Sequence, residues 1–422
     1  MDSLLLSLTV LLPLSLALLL ALHLARQRRG AGGKNRKYPP VAGTVLHQLL
    51  NYDRLIYGTE LSRRHRMFRV LTPTGNYIYT VDPANVEHVL KTSFANYGKG
   101  ATMHDVMEDL LDDGIFNVNG AKWRHQRKVA SHEFSTRVLR DYSSAVFRDT
   151  AAELAGIVAA AARGAGLDIS DLLMRSTLDS IFKVGFGVNL GSLSGCSKEG
   201  AAFARAFDNA SEQVLYRFFD LFWKAKRLLN VSSEAAMNRS VRTVNDFVYA
   251  VIDRKIEQMS SDQQEFGARP GCFDNKYLRD IILNFVIAGR DTTAGALAWF
   301  LYVLCRNQHI QERIALEVRA ATATGDRDVG AQEFTASLTE HAISKMQYLH
   351  AALTETLRLY PAVPIDLKCC LSDDTLPDGY ALKKGDAVLY QPYAMGRMDF
   401  LWGADAEEFR PERARRRWRI RP

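Results

Sequence analysis

An acidic residue and a hydroxyl stand side by side in an apolar stretch of this sequence, at Ile287-Ala288-Gly289-Arg290-Asp291-Thr292-Thr293. Glycine weakens a helix interior by about 1 kcal/mol relative to alanine, and threonine hydroxyls can bond the preceding turn. The segment therefore predicts a local bulge within the helix indicated from Leu278 to Leu304. A groove opened by the bulge would let Asp291 and Thr292 hand protons to a bound, reduced oxygen species. The alternative is a helix that ends at Gly289 and a second helix capped by Asp291.

Two further groups of residues have spacings that could serve a site. Glu355 and Arg358 share a helix face, and Arg413, in a Pro-Glu-Arg segment, could close a three-way network on the same carboxylate. Trp123 and Arg127, four residues apart, could bind an anionic group through hydrogen bonds from an indole N–H and a guanidinium. The ordinary alternatives are a solvated ion pair for Glu355 and Arg358, a solvated turn at Arg413, and a surface helix on which Trp123 is half-buried. Each of these signals is weak alone, but their occurrence together and in a fixed order along the chain favours a functional site.

The elements that must position these residues are mostly helical. Apolar residues at spacings of three and four predict long helices over Arg137–Arg163, Ser170–Val184 and Ser233–Met259. Short strands are predicted at Phe68–Leu71, Tyr77–Val81 and Ala387–Tyr390. Because one composition runs through the body without internal repeats, the sequence indicates one large domain, mainly α with a small β-sheet. The aromatic and basic stretch Val214–Asn230 is either core or a surface that rests on a bilayer.

Composition and charge narrow the class of protein. The 422 residues are 47% hydrophobic and 24% charged, as in folded domains. Five of the seven net positive charges come from arginines between Arg415 and Arg421, so the body gives little reason to expect a nucleic-acid partner. A nucleic-acid-binding arginine tail is the weaker alternative. Five cysteines without regular spacing indicate neither a disulfide framework nor a zinc site, and they fit a reducing compartment.

The first residues, 1–29, predict a membrane anchor. Leu4 to Ala25 carries no charge when His23 is neutral, and as a helix it would be about 33 Å long, enough to cross a bilayer. Asp2 precedes the segment and three arginines follow it, which favours a retained anchor over a cleaved signal peptide. The same arginines predict that the rest of the chain faces the cytosol. A basic and Pro-rich linker is expected at residues 30–43.

In their order along the chain, these residues resemble the cytochrome P450 family of haem-thiolate monooxygenases, over essentially the whole chain to Arg413. The resemblance implies the cytochrome P450 fold with haem as cofactor. It implies that Asp291 and Thr292 lie on the helix that crosses the haem and delivers protons. It also implies that Glu355, Arg358 and Arg413 form the buried network beneath the haem.

The resemblance further implies partners and a location. Trp123 and Arg127 correspond to haem-propionate contacts, and Lys368 stands where many members place another propionate-binding cation. Electrons would come from NADPH through a membrane reductase. The anchor and Pro-rich hinge are similar to those of single-pass endoplasmic-reticulum members, whose catalytic domain faces the cytosol.

A finer resemblance is to a plant branch that hydroxylates long-chain fatty acids at or near the terminal carbon. The stretches that carry it are Ser93–Gly100, His132–Ser135, Leu359–Pro364 and Tyr393–Met398. An apolar substrate pocket over the haem is expected from five residues. They are Val286, Ile287, Ala288, Val363 and Ile365.

In the family, a Phe-x-x-Gly-x-Arg-x-Cys-x-Gly loop supplies the thiolate to iron. This loop does not occur in these 422 residues. None of the five cysteines has its surroundings: Cys196, Cys272, Cys305, Cys369 and Cys370. The catalytic domain, 44–413, is therefore expected to be incomplete and the Arg-rich tail, 414–422, to be foreign, through a frame change, a retained intron or a premature end. We expect weak or no haem binding and no activity from this chain. The alternative is a non-catalytic, membrane-anchored remnant that binds a partner or lipid.

Overall fold

The computed structural model describes residues 37–44, 55–72, 75–133, 137–161, 164, 166–218, 220, 222–266, 274–325 and 329–414. The predicted anchor, most of the linker and most of the Arg-rich tail lie outside the described residues. The described part is mainly helical with a small mixed sheet, which confirms the predicted class.

The strands are short. They are β1 Val41–Thr44, β2 Met67–Thr72, β3 Gly75–Thr80, β4 Tyr97–Gly98, β5 Asp366–Cys370, β6 Asp374–Thr375, β7 Ala381–Leu382 and β8 Ala387–Tyr390. One sheet has the order β1-β2-β3-β8-β5-β4, and β6 pairs with β7. β2 pairs antiparallel with β3, whereas β3 pairs in parallel with β8. The three predicted strands are confirmed as β2, β3 and β8.

The helices carry most of the described chain. Up to the candidate site they are α1 Leu55–Arg64, α2 Pro83–Glu87, α3 Ala101–Leu111, α4 Gly120–Glu133, α5 Arg137–Ala161, α6 Ile169–Phe186, α7 Lys198–Arg217, α8 Trp223–Leu229, α9 Ser232–Phe266 and α10 Asn275–Val286. After it they are α11 Thr292–Arg306, α12 Gln308–Thr322, α13 Ala331–Ser337, α14 Glu340–Lys345, α15 Gln347–Leu359, α16 Pro392–Met395 and α17 Asp399–Trp402. A π-helix, Ile287–Asp291, joins α10 to α11, and another, His88–Thr92, follows α2.

The described residues group into two compact units, where the sequence indicates one domain. The first unit comprises the described residues of Met1–Ala101 and Val363–Glu407 and contains the strands. The second comprises those of Thr102–Ala362 and Glu408–Pro422 and contains the long helices.

The second unit is built around α6, α7, α9 and α10. Local signals set the helix ends: the Asp168 side chain accepts a hydrogen bond from Asp171 N at the start of α6, and Gly187, at φ +70°, follows its last residue. Val244, Val248 and Val251 of α9 are fully or almost fully buried, at the spacing of one helix face. They pack in the same apolar cluster as Phe182 of α6, Phe207 of α7 and Leu283 of α10. The predicted helices of this region are thereby confirmed.

Within the described residues, one helical run, Asn275–Arg306, has the length and apolar composition of a membrane span, and 33% of its most apolar window is buried. It is the run that contains the candidate site. Because core helices satisfy the same criteria, this finding carries no conclusion about a membrane.

Gly114 is a position where an added methyl group should be destabilising. Its missing Cβ would lie 1.7 Å from Asn284 Nδ2 and 2.8 Å from the Leu111 carbonyl oxygen. The buried Asn284 amide accepts from Phe116 N at 3.1 Å and donates to Asp280 O at 2.5 Å. We expect Gly114→Ala to displace this amide and lower the free energy of unfolding by about 2–4 kcal/mol, measured by urea denaturation.

Gly156→Ala is the matched control, because Gly156 lies within α5 and its added Cβ would meet nothing within 4 Å. A helix interior gains up to about 1 kcal/mol from this substitution. Equal effects at the two glycines would contradict the packing argument.

Candidate functional site

The candidate site is built on the π-helix between α10 and α11. Gly289 permits a close approach there, since a Cβ on it would lie 2.8 Å from Ile181 Cδ1 of α6. Thr177 of α6 donates its hydroxyl to the Arg290 carbonyl oxygen at 3.2 Å, satisfying one backbone group of the bulge. The predicted bulge is confirmed. The alternative of two helices is wrong, because Asp291 is itself helical (φ −68°, ψ −41°) and makes no side-chain cap.

An acid and a hydroxyl lie together at the end of this bulge. The Thr292 hydroxyl donates to the Ala288 carbonyl oxygen at 2.5 Å, and Ala288 is exposed. Asp291 Oδ1 accepts from Arg290 Nη1 at 3.0 Å. Burial raises the pKa of the Asp291 carboxyl above its ordinary value, while the Arg290 guanidinium opposes that rise. The arrangement can hold a proton beside a hydroxyl at an accessible backbone position.

The predicted pocket residues are divided between the two units, and those of the second unit do not face one way. Val286 is fully buried in the apolar cluster of the second unit and Ile287 packs against it, whereas Ala288 is exposed. The difference follows from helix geometry, because residues two positions apart point to nearly opposite sides. Val363 and Ile365 belong to the first unit, where Val363 is 49% exposed and Ile365 packs on the cluster of Phe68, Val70, Tyr79 and Leu389.

The second unit contains a mostly apolar cavity of about 310 Å³ that the sequence does not indicate. Gln126 of α4, Ile181 of α6 and Phe285 of α10 are among its lining residues. Its size is near the lower limit for small-molecule sites. Because Ile181 also contacts Gly289, the cavity adjoins the bulge through one side chain.

Glu355 is the centre of a buried ion network in the second unit. Its side chain is 2% exposed and accepts from Arg358 Nε at 2.8 Å and from Arg358 Nη2 at 2.7 Å. Arg413 Nε lies 3.4 Å from Glu355 Oε1, and the Arg410 backbone N–H donates to the same oxygen at 3.1 Å. Arg358 also donates to the Glu408 carbonyl oxygen at 3.0 Å. The network ties α15 to the segment that contains Arg413.

The three predicted anion-binding residues lie on two elements. Trp123 is half-buried and Arg127 exposed, one turn apart on α4 in the second unit. Lys368 lies on β5 in the first unit, beside the Lys99 side chain. Burial and the charge of Lys368 lower the pKa of Lys99 to about 8. The sequence analysis missed Lys99, although it lies in one of the stretches that carry the finer resemblance.

Iron in a haem-thiolate protein needs a cysteine whose thiolate is stabilised, and the described cysteines do not fit that role. Cys196 and Cys305 are exposed. Burial raises the pKa of the Cys370 thiol to about 12, and it also raises the pKa of Cys369. These two residues end strand β5. No step through iron is therefore derived, and Cys272 lies outside the described residues.

Comparison with known proteins identifies the class. Residues 39–416 match the family model described as Cytochrome P450, so the match continues past Arg413. Cytochrome P450 704C1 of Pinus taeda is 49% identical over 406 residues, covering 90% of this chain and 78% of the relative. Cytochrome P450 704B1 of Arabidopsis thaliana is 42% identical over 434 residues, covering 93% and 82%. Cytochrome P450 94A2 of Vicia sativa is 35% identical over 393 residues, covering 89% and 74%.

The chain belongs to the cytochrome P450 family of monooxygenases. Haem is the cofactor that the family implies.

Proposed function

We propose that this chain descends from a monooxygenase that hydroxylates fatty acids or similar long-chain lipids at or near the terminal carbon, with electrons from NADPH through a membrane reductase. The observation that carries the proposal is the π-helix Ile287–Asp291, after which the Thr292 hydroxyl, next in sequence to Asp291, donates to the carbonyl oxygen of the exposed Ala288. The similarity to the plant relatives supports the substrate class.

Each site residue has a distinct part in this proposal. Asp291 and Thr292 hold and pass protons beside the exposed Ala288. Trp123, Arg127 and Lys368 supply the N–H donors and positive charge that carboxylate groups of haem require. When bound, haem supplies the oxygen-activating chemistry. Glu355, Arg358 and Arg413 stabilise the second unit rather than take part in the chemistry.

The test uses the chain continued through a segment with the Phe-x-x-Gly-x-Arg-x-Cys-x-Gly loop, in membranes with an NADPH-dependent reductase. We expect conversion of a long-chain saturated fatty acid such as palmitate to its terminal hydroxy acid. Thr292→Ala is expected to reduce the rate by about 10–100-fold and to increase the share of NADPH consumed without product. Reductase without the continued chain is the background control. Correct haem incorporation with no hydroxylation of any long-chain lipid would overturn the proposed substrate class.

We also propose attachment to the endoplasmic-reticulum membrane through residues 1–29, with a second contact near α8. Exposed apolar side chains cluster there in the second unit: Phe222 is 57% exposed, Leu228 86% and Leu229 69%. Lys224 and Lys226 of the same helix are ion-paired with Asp105 and Asp220, so the apolar side chains carry this proposal. Apolar residues beside lysines are typical of surfaces that rest on a bilayer.

Substitution of the two leucines tests this contact. In a chain without residues 1–29, we expect Leu228→Ser with Leu229→Ser to weaken binding to phospholipid vesicles by about tenfold or more, because burial of each leucine contributes about 1.5–3 kcal/mol. Vesicle flotation measures the bound fraction. Leu316→Ser, at a leucine of α12 that is 64% exposed, is the matched control. Equal losses in the two variants would exclude a specific contact at α8.

A further inference from the structure

The acid of the bulge is connected to a second acid that neither the family pattern nor the sequence analysis identifies. Arg290 is 4% exposed, and its guanidinium makes a two-point ion pair with Asp208 of α7. In that pair, Arg290 Nη2 donates to Asp208 Oδ2 at 3.0 Å, and Nη1 donates to Oδ1. The same Nη1 donates to Asp291 Oδ1 at 3.0 Å. One buried guanidinium is therefore shared between two carboxylates.

Asp208 and Asp291 do not share the Arg290 guanidinium equally. Asp208 takes both ends of the guanidinium, the geometry in which an Arg–carboxylate pair is strongest. Asp291 receives one hydrogen bond from a nitrogen that already has a partner. If Asp208 were uncharged, Arg290 would have only Asp291 as an ionic partner among the contacts that the structure gives.

Two uncharged side chains of α6 contact the bulge beside Asp291. From α6, Thr177 holds the Arg290 carbonyl oxygen and Ile181 packs on Gly289. The charged groups that act on Asp291 are Arg290 from the bulge and Asp208 from α7. The Asp208 side chain is 56% exposed, so solvent and salt reach this end of the arrangement.

We infer that Asp208 is a positioning residue, which binds both ends of the Arg290 guanidinium, leaves Asp291 a single hydrogen bond from it, and so keeps the acid of the bulge available to take and release a proton. The inference deepens the proposed function and rests on it for the role of Asp291. The negative charge of Asp208 and its hold on Arg290 act in the same direction, since both favour the protonated form of Asp291.

The test follows the titration of Asp291 in the full 422-residue chain by ¹³C NMR with carboxyl-labelled aspartate, and Asp291→Asn identifies the resonance. Asp208→Asn is expected to lower the pKa of Asp291 by about 1 unit or more, because Arg290 then pairs with Asp291 alone. Arg290→Gln is expected to raise it. Glu212→Gln, at an exposed acid one turn along α7, is the control and should leave the titration unchanged.

A double substitution separates positioning from a simple charge effect. If Asp208 acts through Arg290, then Asp208→Asn in the Arg290→Gln background should shift the titration far less than in the unaltered chain. Equal shifts in the two backgrounds, or no shift from Asp208→Asn, would overturn the inference.

A measurement on the unaltered chain covers the case in which Asp208→Asn does not fold. Salt screens the exposed Asp208 more than the buried Arg290, so added salt should move the titration of Asp291 in the same direction as the substitution. A titration indifferent to salt would count against the inference. These titrations of Asp291 need neither haem nor substrate. A failed hydroxylation assay would therefore not contradict the inference about Asp208, and an unchanged titration would not contradict the proposed hydroxylation.

Discussion

Replacing Arg358 with glutamine is expected to lower the free energy of unfolding by about 3–5 kcal/mol, because it leaves the Glu355 carboxylate buried with much of its compensation removed. The Glu355 and Arg358 side chains are 2% and 5% exposed and are joined by two hydrogen bonds. The glutamine cannot replace both bonds or the charge. Urea denaturation followed by far-ultraviolet circular dichroism measures the loss.

Arg175→Gln is the matched control, since Arg175 and Asp171 form an ion pair on α6 whose side chains are 43% and 47% exposed. A pair of that kind contributes about 0–1 kcal/mol. Arg413→Gln should fall between the two, because Arg413 is 16% exposed and lies 3.4 Å from the Glu355 carboxylate. If Arg358→Gln were no more destabilising than Arg175→Gln, the network would not be a main source of stability in the second unit.

Local chemistry made the secondary structure predictable. The strands β2 and β3 follow from short runs of β-branched and aromatic residues, and α15 ends at Leu359, two residues before Pro361. α9 is longer than predicted and runs to Phe266, because its polar end has no apolar periodicity to extend the pattern. The parallel pairing of β3 with β8 was beyond prediction, since it joins segments as far apart as Asn76 and Asp386, 310 residues along the chain.

The candidate site likewise has contacts that the local sequence predicts and contacts that only the tertiary structure reveals. Glu355 and Arg358 are three residues apart, so helix geometry alone predicts their contact. The Glu408 carbonyl and the Arg410 N–H complete that network through backbone groups, which side-chain identity does not encode. Asp208 contacts Arg290 across 82 residues and is one of several acids in its region, so nothing in the sequence distinguishes it. Sequence patterns therefore reveal the local part of a site, whereas tertiary packing selects the distant partners.

The 422-residue polypeptide is expected to give no thiolate absorption band when reduced in the presence of carbon monoxide. A cysteine serves as a thiolate ligand most readily where its surroundings stabilise the thiolate. Burial instead raises the pKa of the Cys370 thiol to about 12, which disfavours the thiolate form. The pKa of Cys369 is raised for the same reason, and Cys196 and Cys305 are exposed to water.

The comparison that tests this expectation uses three polypeptides that differ only after residue 422. The first is the chain itself, the second continues through the Phe-x-x-Gly-x-Arg-x-Cys-x-Gly loop, and the third is the continued chain with alanine at the loop cysteine. Only the continued chain with its cysteine should give the band. A band from the 422-residue chain would show that one of its own cysteines holds the iron, and Cys272→Ala, Cys369→Ala and Cys370→Ala would then identify which. Its absence from all three polypeptides would instead show that the described helices and propionate candidates do not bind haem even with the thiolate supplied.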